Sequence, residues 1–217
     1  MSSLLIDIFR FSIVIAAVIG WIRIKKIDPA YYPFIYCLWI GALNECISSV
    51  IVELGYYSSV NNNIYVLLES LLISWQFRKW GLFQASRYLF TGIITILCLF
   101  WITENFFISK IIYISSYFRI FYSFIIALFS IHTINWLIIR ERKSILKNSI
   151  FLICIGFVIY FTYKILVEAF WVYGLNNGSN FRQKVYDIMV YINLFSNLIY
   201  ALAVLWMPAK QRFSLPY

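Results

Sequence analysis

NSIFLICIGFVIYFTYKILVEAFWVY, residues 148–173, decides the fold. Its only charged residues are Lys164 and Glu168. At 1.5 Å per residue, a helical run of this length exceeds the roughly 30 Å of hydrocarbon in a bilayer. Arg140, Arg142, Lys143 and Lys147 crowd the entry to the run, and the turn-forming stretch from Gly174 to Asn180 follows it. The segment reads as a transmembrane helix with a basic anchor at one end.

Working outward, the same pattern recurs along the chain. Apolar runs fall at 4–24, 31–54, 64–80, 86–106, 113–139, 148–173 and 184–207. Asp28 with Pro29, and the stretch from Gly55 to Asn63, supply turn chemistry between runs, and Pro208 closes the last one. The 217 residues are 63% hydrophobic and 12% charged, whereas soluble domains average nearer half and a quarter. No polar stretch is long enough to bury a separate core, so residues 1–217 are expected to form one all-α domain, a polytopic membrane protein of seven transmembrane helices. The first run carries Asp7 and Arg10 and ends at Arg23, Lys25 and Lys26 without a small-residue cleavage site, so it reads as a helix and not a signal peptide.

Charge gives direction. If successive runs alternate sides, one side receives Arg23, Lys25, Lys26, Arg78, Lys79, Arg87, Arg140, Arg142, Lys143, Lys147, Lys210 and Arg212. The other receives Lys110, Arg182 and Lys184. Basic residues in short loops are retained in the cytoplasm, which predicts a protein integral to the plasma (cytoplasmic, or cell inner) membrane, with its N-terminus outside and C-terminus inside. Trp21, Trp80, Trp136 and Trp206 fall at inner helix ends, and Trp101 and Trp171 near outer ends, where amphipathic rings belong. The net charge of +9 is explained by this retention, so nucleic acid is not an expected partner; the lipid bilayer is.

The remaining ionisable residues carry the functional information. Arg10, Glu45, Glu69, Arg119, Lys164 and Glu168 all fall roughly 8 to 13 Å below the outer boundary of their runs. Charges in hydrocarbon cost at least about 2.5 to 3.5 kcal/mol each on insertion scales, so these six are expected to point inward and neutralise one another. Lys164 and Glu168 are four apart on one helix face and are able to meet without any tertiary assumption, while Glu104 and Asp187 would extend the network outward. Asn44, Ser48, Ser49, Ser70, Ser115, Ser116 and Ser123 thicken this layer, Asn193, Ser196 and Asn197 add a polar face near mid-membrane, and Tyr65, Tyr117, Tyr122, Tyr163 and Tyr186 supply amphipathic walls.

The expected ligand-binding set is therefore Arg10, Asn44, Glu45, Glu69, Arg119, Lys164, Glu168, Asn193 and Asn197, lining a cavity in the outer half of the bundle for a small polar solute or ion. The cavity would serve a transporter or a receptor. Transport needs a trail inward, for which Gln76, His132 and Asn135 are candidates, and sensing needs a membrane or cytoplasmic protein partner. Two other functions fit the same residues. A lipid-modifying enzyme would use Glu45 and Glu69 as a carboxylate pair sharing a proton, and a structural or pore-forming component would use the charges as helix glue. An enzyme is not the favoured reading. One histidine and four scattered cysteines build no metal-ligand set, and no nucleotide or nucleophile motif is present, so no metal or cofactor is expected. Asn177 to Ser179 match a glycosylation sequon too short to weigh.

Overall fold

A computed structural model of the chain describes residues 8–84, 87–140, 145–173 and 179–210. Among them there are seven α-helices: α1 (Ile13–Arg23), α2 (Tyr32–Glu53), α3 (Ser59–Lys79), α4 (Arg87–Ile102), α5 (Ser116–Arg140), α6 (Ser149–Val172) and α7 (Ser179–Trp206). α4 continues as a π-helical stretch, Thr103–Ile108. No strand occurs among the described residues beyond an isolated antiparallel bridge, Ile27 to Ala209.

Five helical segments are long and apolar enough to cross a membrane: Pro29–Glu53, Tyr88–Ile108, Ser116–Arg140, Ser149–Val172 and Asp187–Trp206. The chain is thus a helical membrane protein by the length and apolarity of its helices. α1 and α3 are not among the five. The regular part of α1 has 11 residues, and a tight turn at Phe11 and Ser12, bonded Ser12 N to Phe9 O and Val14 N to Phe11 O, separates it from helical residues 8–10. α3 has 21 residues but carries Asn61, Asn62, Asn63, Glu69 and Gln76.

That polar helix turns its polar residues to the interior. Asn63, Glu69, Ser70, Ser74 and Gln76 of α3 are all buried. Helix packing explains why: α1, α2, α3, α5, α6 and α7 form a closed ring in that order, each touching the next, while α4 leans on α3 and α5 from outside. Only 17% of the apolar window of α4 is buried, against 33 to 39% for the other four apolar segments. A helix apolar all round suits the lipid face, and one with a polar stripe must turn that stripe to protein.

The ends of the bundle are tied separately. At one end Arg23 of α1 donates from Nη1 to the carbonyls of Val204 (2.6 Å) and Leu205 and from Nη2 to Met207 O (3.3 Å), capping α7 with a cation where its dipole is negative. Gln76 of α3 donates to Ala30 O and accepts from Phe34 N, tying α3 to the start of α2, and Ser149 Oγ donates to the Tyr31 hydroxyl. Asp28 N donates to Pro208 O and Lys210 N to Lys26 O. Arg23, Lys25, Lys26, Arg78, Lys79, Arg140, Lys147 and Lys210 all gather at this basic end. At the opposite end Asn63, fully buried, donates to Ile111 O (3.0 Å) and Tyr113 O (2.6 Å) and accepts from Ser115 N and Oγ, so one side chain organises the loop between α4 and α5.

Several boundaries differ from those the sequence predicts. α3 begins at Ser59 and not at 64, because Asn61, Asn62 and Asn63 are helical: the amides of Asn61 and Asn62 pair with Asn44, Ser48 and Ser58. α5 begins at Ser116, three residues later than expected, and α7 begins at Ser179, five earlier. The turn expected at 174–180 lies, apart from its last two residues, outside the described residues, as do Asp7, Arg142, Lys143, Arg212 and most of the sequon.

Candidate functional site

An aromatic plug fills the ring. Phe34, Phe77, Phe118, Tyr122, Phe157 and Phe161 are each no more than 2% exposed, with ring centroids 5.2 to 5.9 Å apart along the series from Phe34 through Phe157 and Phe161 to Tyr122 and Phe118, and Phe77 6.1 Å from Phe157. With lipid outside, such packing and not hydrophobic exclusion holds helices together. The ionisable residues sit against this plug.

They resolve into three ion pairs of increasing depth. Arg10 Nη2 lies 3.0 Å from Glu45 Oε2, and the two side chains are 31% and 25% exposed. Arg119 Nη1 lies 3.3 Å from Glu168 Oε1, at 14% and 9%. Lys164 Nζ lies 3.3 Å from Glu69 Oε2, at 7% and 6%. The last pair is the most completely desolvated, so it most needs further hydrogen bonds to be tolerated. It has them: Tyr122 Oη donates to Glu69 Oε2 (2.5 Å) and accepts from Lys164 Nζ (2.5 Å), while Tyr65 Oη donates to Glu69 Oε1 (2.9 Å). The Lys164 ammonium also lies 5.0, 5.3 and 5.6 Å from the ring centroids of Tyr122, Tyr160 and Phe161.

The pair that helical spacing allows, Lys164 with Glu168, does not form. Lys164 reaches Glu69 on α3 and Glu168 reaches Arg119 on α5, because one turn of α6 separates the two side chains and each faces a different partner helix. Glu45 and Glu69 likewise close on different bases, Arg10 and Lys164, and so do not share a proton as a carboxylate pair would. Asn44 sits in the amide cluster that clamps α2 to α3, with Asn61 Nδ2 donating to its Oδ1 at 2.8 Å. Asn193 and Asn197 lie deeper: Asn197 Nδ2 donates to Ser12 Oγ (2.8 Å), the side chain that also closes the tight turn of the first helix on Phe9 O. Both asparagines, with Tyr65, Glu69, Tyr160 and Tyr200, line a central cavity of about 50 Å³. That space is water-sized.

A larger opening lies at the end opposite the basic one. A pocket of about 350 Å³ is bounded by the π-helical stretch (Glu104, Ile108), by Ser109, by the start of α5 (Ile114, Ser116, Tyr117) and by the end of α6 (Glu168, Trp171, Val172). Among the described residues two carboxylates line it and no basic side chain does. Glu168 is held by Ser116 Oγ (2.6 Å) as well as by Arg119, whose buried Nε makes no hydrogen bond among the described residues. Glu104, 2% exposed, accepts from Tyr117 N (3.0 Å) and Phe118 N (2.5 Å) and thereby caps the start of α5 with an anion. A second pocket, of about 340 Å³, opens at the basic end and includes Gln84, His132, Thr133, Trp136 and Arg140.

Sequence reasoning named the tyrosines at 65 and 122 only as walls, yet both bind Glu69 directly. It missed Ser12, Asn63 and Tyr160. A polar residue on a face otherwise buried marks Ser12 and Asn63, but nothing in the spacing identifies their partners. Gln76, expected on an inward trail, is engaged with the start of α2. Compared with known protein families, with curated proteins and with solved structures, the chain gives no match.

Proposed function

We propose that the chain crosses the plasma membrane seven times, N-terminus outside, and binds a small charged solute from the outer side in the pocket formed by Glu104, Ser116, Tyr117, Glu168 and Trp171. The observation that carries this reading is an open pocket whose charged lining groups, among the described residues, are carboxylates, backed by the Arg119–Glu168 pair. Carboxylates beside the exposed ring of Trp171 favour a solute bearing a positive charge, since an ammonium gains from both. On binding, such a cation competes with Arg119 for Glu168. The Glu69–Lys164–Tyr122 cluster lies one turn deeper on α6, where the displaced charge balance is next felt. The gathering of basic residues at the other end of the bundle supports the orientation.

Transport accounts for more of the architecture than sensing does. Pockets of similar size flank the two ends of α5, and between them that helix carries Arg119, Ser123, Ser130 and Thr133 at successive intervals of four, seven and three residues, which keep them on one face. The aromatic plug then separates an outer and an inner chamber. A second reading is favoured by the full satisfaction of Glu69: the deep cluster is helix glue and the pocket alone binds.

Thermal unfolding of the purified protein against amines, quaternary ammonium ions, carboxylates and neutral sugars tests the proposal. A ligand at about 100 times its dissociation constant stabilises the native state by roughly 2.7 kcal/mol. The expected result is stabilisation by cations, lost in Glu168→Gln and retained in Glu45→Gln. Stabilisation by no solute class, with Glu168→Gln merely less stable, would leave the charges as glue. Reporter fusions placing residues 140–147 outside the cell would overturn the orientation.

A further inference from the structure

The pocket at the basic end differs in chemistry from the outer one. It lies between the end of α3 (Trp80), the turn Gly81 to Gln84, the end of α5 (His132, Thr133, Trp136, Leu137, Arg140) and Ile150 of α6. Among the described residues its polar groups are a guanidinium, an imidazole, an amide, a hydroxyl and two indoles, with no carboxylate. Its volume of about 340 Å³ falls within the range of small-molecule sites, roughly 300 to 1,000 Å³. Arg140 stacks with its guanidinium carbon 4.4 Å from the Trp136 ring centroid and makes no ion pair among the described residues. Stacking fixes the plane of the guanidinium while leaving its N–H edge available, the arrangement that suits bidentate phosphate recognition. The Trp80 ring is held edge-on by Tyr31 and Phe77, and its buried Nε1 has no hydrogen-bond partner among the described residues. Buried donors are ordinarily paired.

We propose that this pocket binds the phosphate-bearing headgroup of an anionic membrane lipid, with Arg140 as the charged donor and His132 and Gln84 as neighbouring donors. The walls explain why the phosphate arrives on a lipid. Leu82, Leu137 and Ile150 line the pocket beside the donors, and Trp136 and Ile139 are 43% and 84% exposed on the same stretch of α5. Tryptophans at a helix end place the opening at the headgroup level, so glycerol and the first methylenes meet apolar side chains while the phosphate meets the donors. Lys147 and Arg78, at the same end but outside the lining, supply attraction without selectivity.

The full chain in nanodiscs containing equal phosphatidylglycerol and phosphatidylcholine, extracted and read by native mass spectrometry, tests the site. Wild type is expected to retain phosphatidylglycerol preferentially, with retention reduced roughly tenfold in Arg140→Gln, the loss of one charge-assisted contact, and little changed in Lys147→Gln. Gln84→Leu, on the turn and exposed, reports on the pocket even if Arg140→Gln proves unstable. Added inorganic phosphate or glycerol phosphate that displaces the lipid identifies the phosphate as the recognised group, and retention of free phosphate in lipid-free detergent would assign the source to the aqueous side. Equal retention of the two lipids by wild type, or equal losses in Arg140→Gln and Lys147→Gln, overturns the proposal in favour of general headgroup attraction.

Discussion

Removing one member of the Glu69–Lys164 pair tests the deepest feature of the bundle. In soluble proteins, truncating one partner of a buried pair costs about 3 to 5 kcal/mol, because the other charge is stranded. Membrane helices moderate such costs, since side-chain hydrogen bonds there average about 0.6 kcal/mol and reach about 1.7. The two single changes should be unequal. In Lys164→Met, Glu69 keeps two hydroxyl donors, Tyr65 and Tyr122. In Glu69→Gln, Lys164 loses its carboxylate partner and keeps the Tyr122 oxygen and three ring faces. We expect about 2 kcal/mol for Lys164→Met and about 3 for Glu69→Gln, both within the range for partly compensated buried charges. The double variant should be no worse than the poorer single, giving a coupling of about 2 kcal/mol. Equilibrium unfolding in mixed micelles, read by tryptophan fluorescence, supplies all four corners of the cycle. A coupling below about 0.5 kcal/mol would refute the pairing, as would a larger coupling of Lys164 to Glu168 than to Glu69.

Three further substitutions probe other parts of the fold. Asn63→Ala strips two donors and a doubly used acceptor from the α4–α5 loop and should cost about 3 kcal/mol, with faster amide exchange at Ser115; unchanged exchange there would disprove its organising role. Gly156→Ala places a Cβ against the Tyr200 ring, which is wedged between Phe34 and Phe157, so a loss of about 1 to 3 kcal/mol in thermal unfolding is expected, and neutrality would show that the ring has room to move. Glu104→Ala removes the cap of α5 and should destabilise by about 1 kcal/mol, with the exchange of Tyr117 and Phe118 amides as the local readout.

Much of the fold was legible because lipid imposes a simple rule: a helix must remain apolar for about 20 residues to cross. Runs such as 148–173 obey it, and α6 matches the expected bounds within a residue at each end. The rule fails at α3, whose polarity is answered by protein. Asn61, Asn62 and Asn63 look like turn residues because an asparagine side chain normally competes with the helix backbone. Here Asn44 and Ser48 of α2 engage Asn61 and Asn62, and the backbone of the α4–α5 loop engages Asn63, so the helix extends through all three. That the charged residues neutralise one another follows from the cost of charge in hydrocarbon, but which partner each takes does not. Glu69 and Lys164 are 95 residues apart, and Arg119 and Glu168 are 49 apart, distances over which spacing carries no information. The four-residue interval between Lys164 and Glu168 pointed to the wrong pair because it ignores what the neighbouring helices offer.

The polarity of α3 also sets an order on biosynthesis. A segment holding Asn61, Asn62, Asn63, Glu69 and Gln76 partitions poorly from the translocon by itself, while its carboxylate waits for a lysine that emerges 95 residues later. Until α6 is made, Glu69 depends on neutralisation by a proton or on the shelter of α2. A chain truncated before residue 164 therefore leaves Glu69 without its lysine, and quality-control proteases that survey membrane proteins for exposed polarity should clear it faster than the full-length chain.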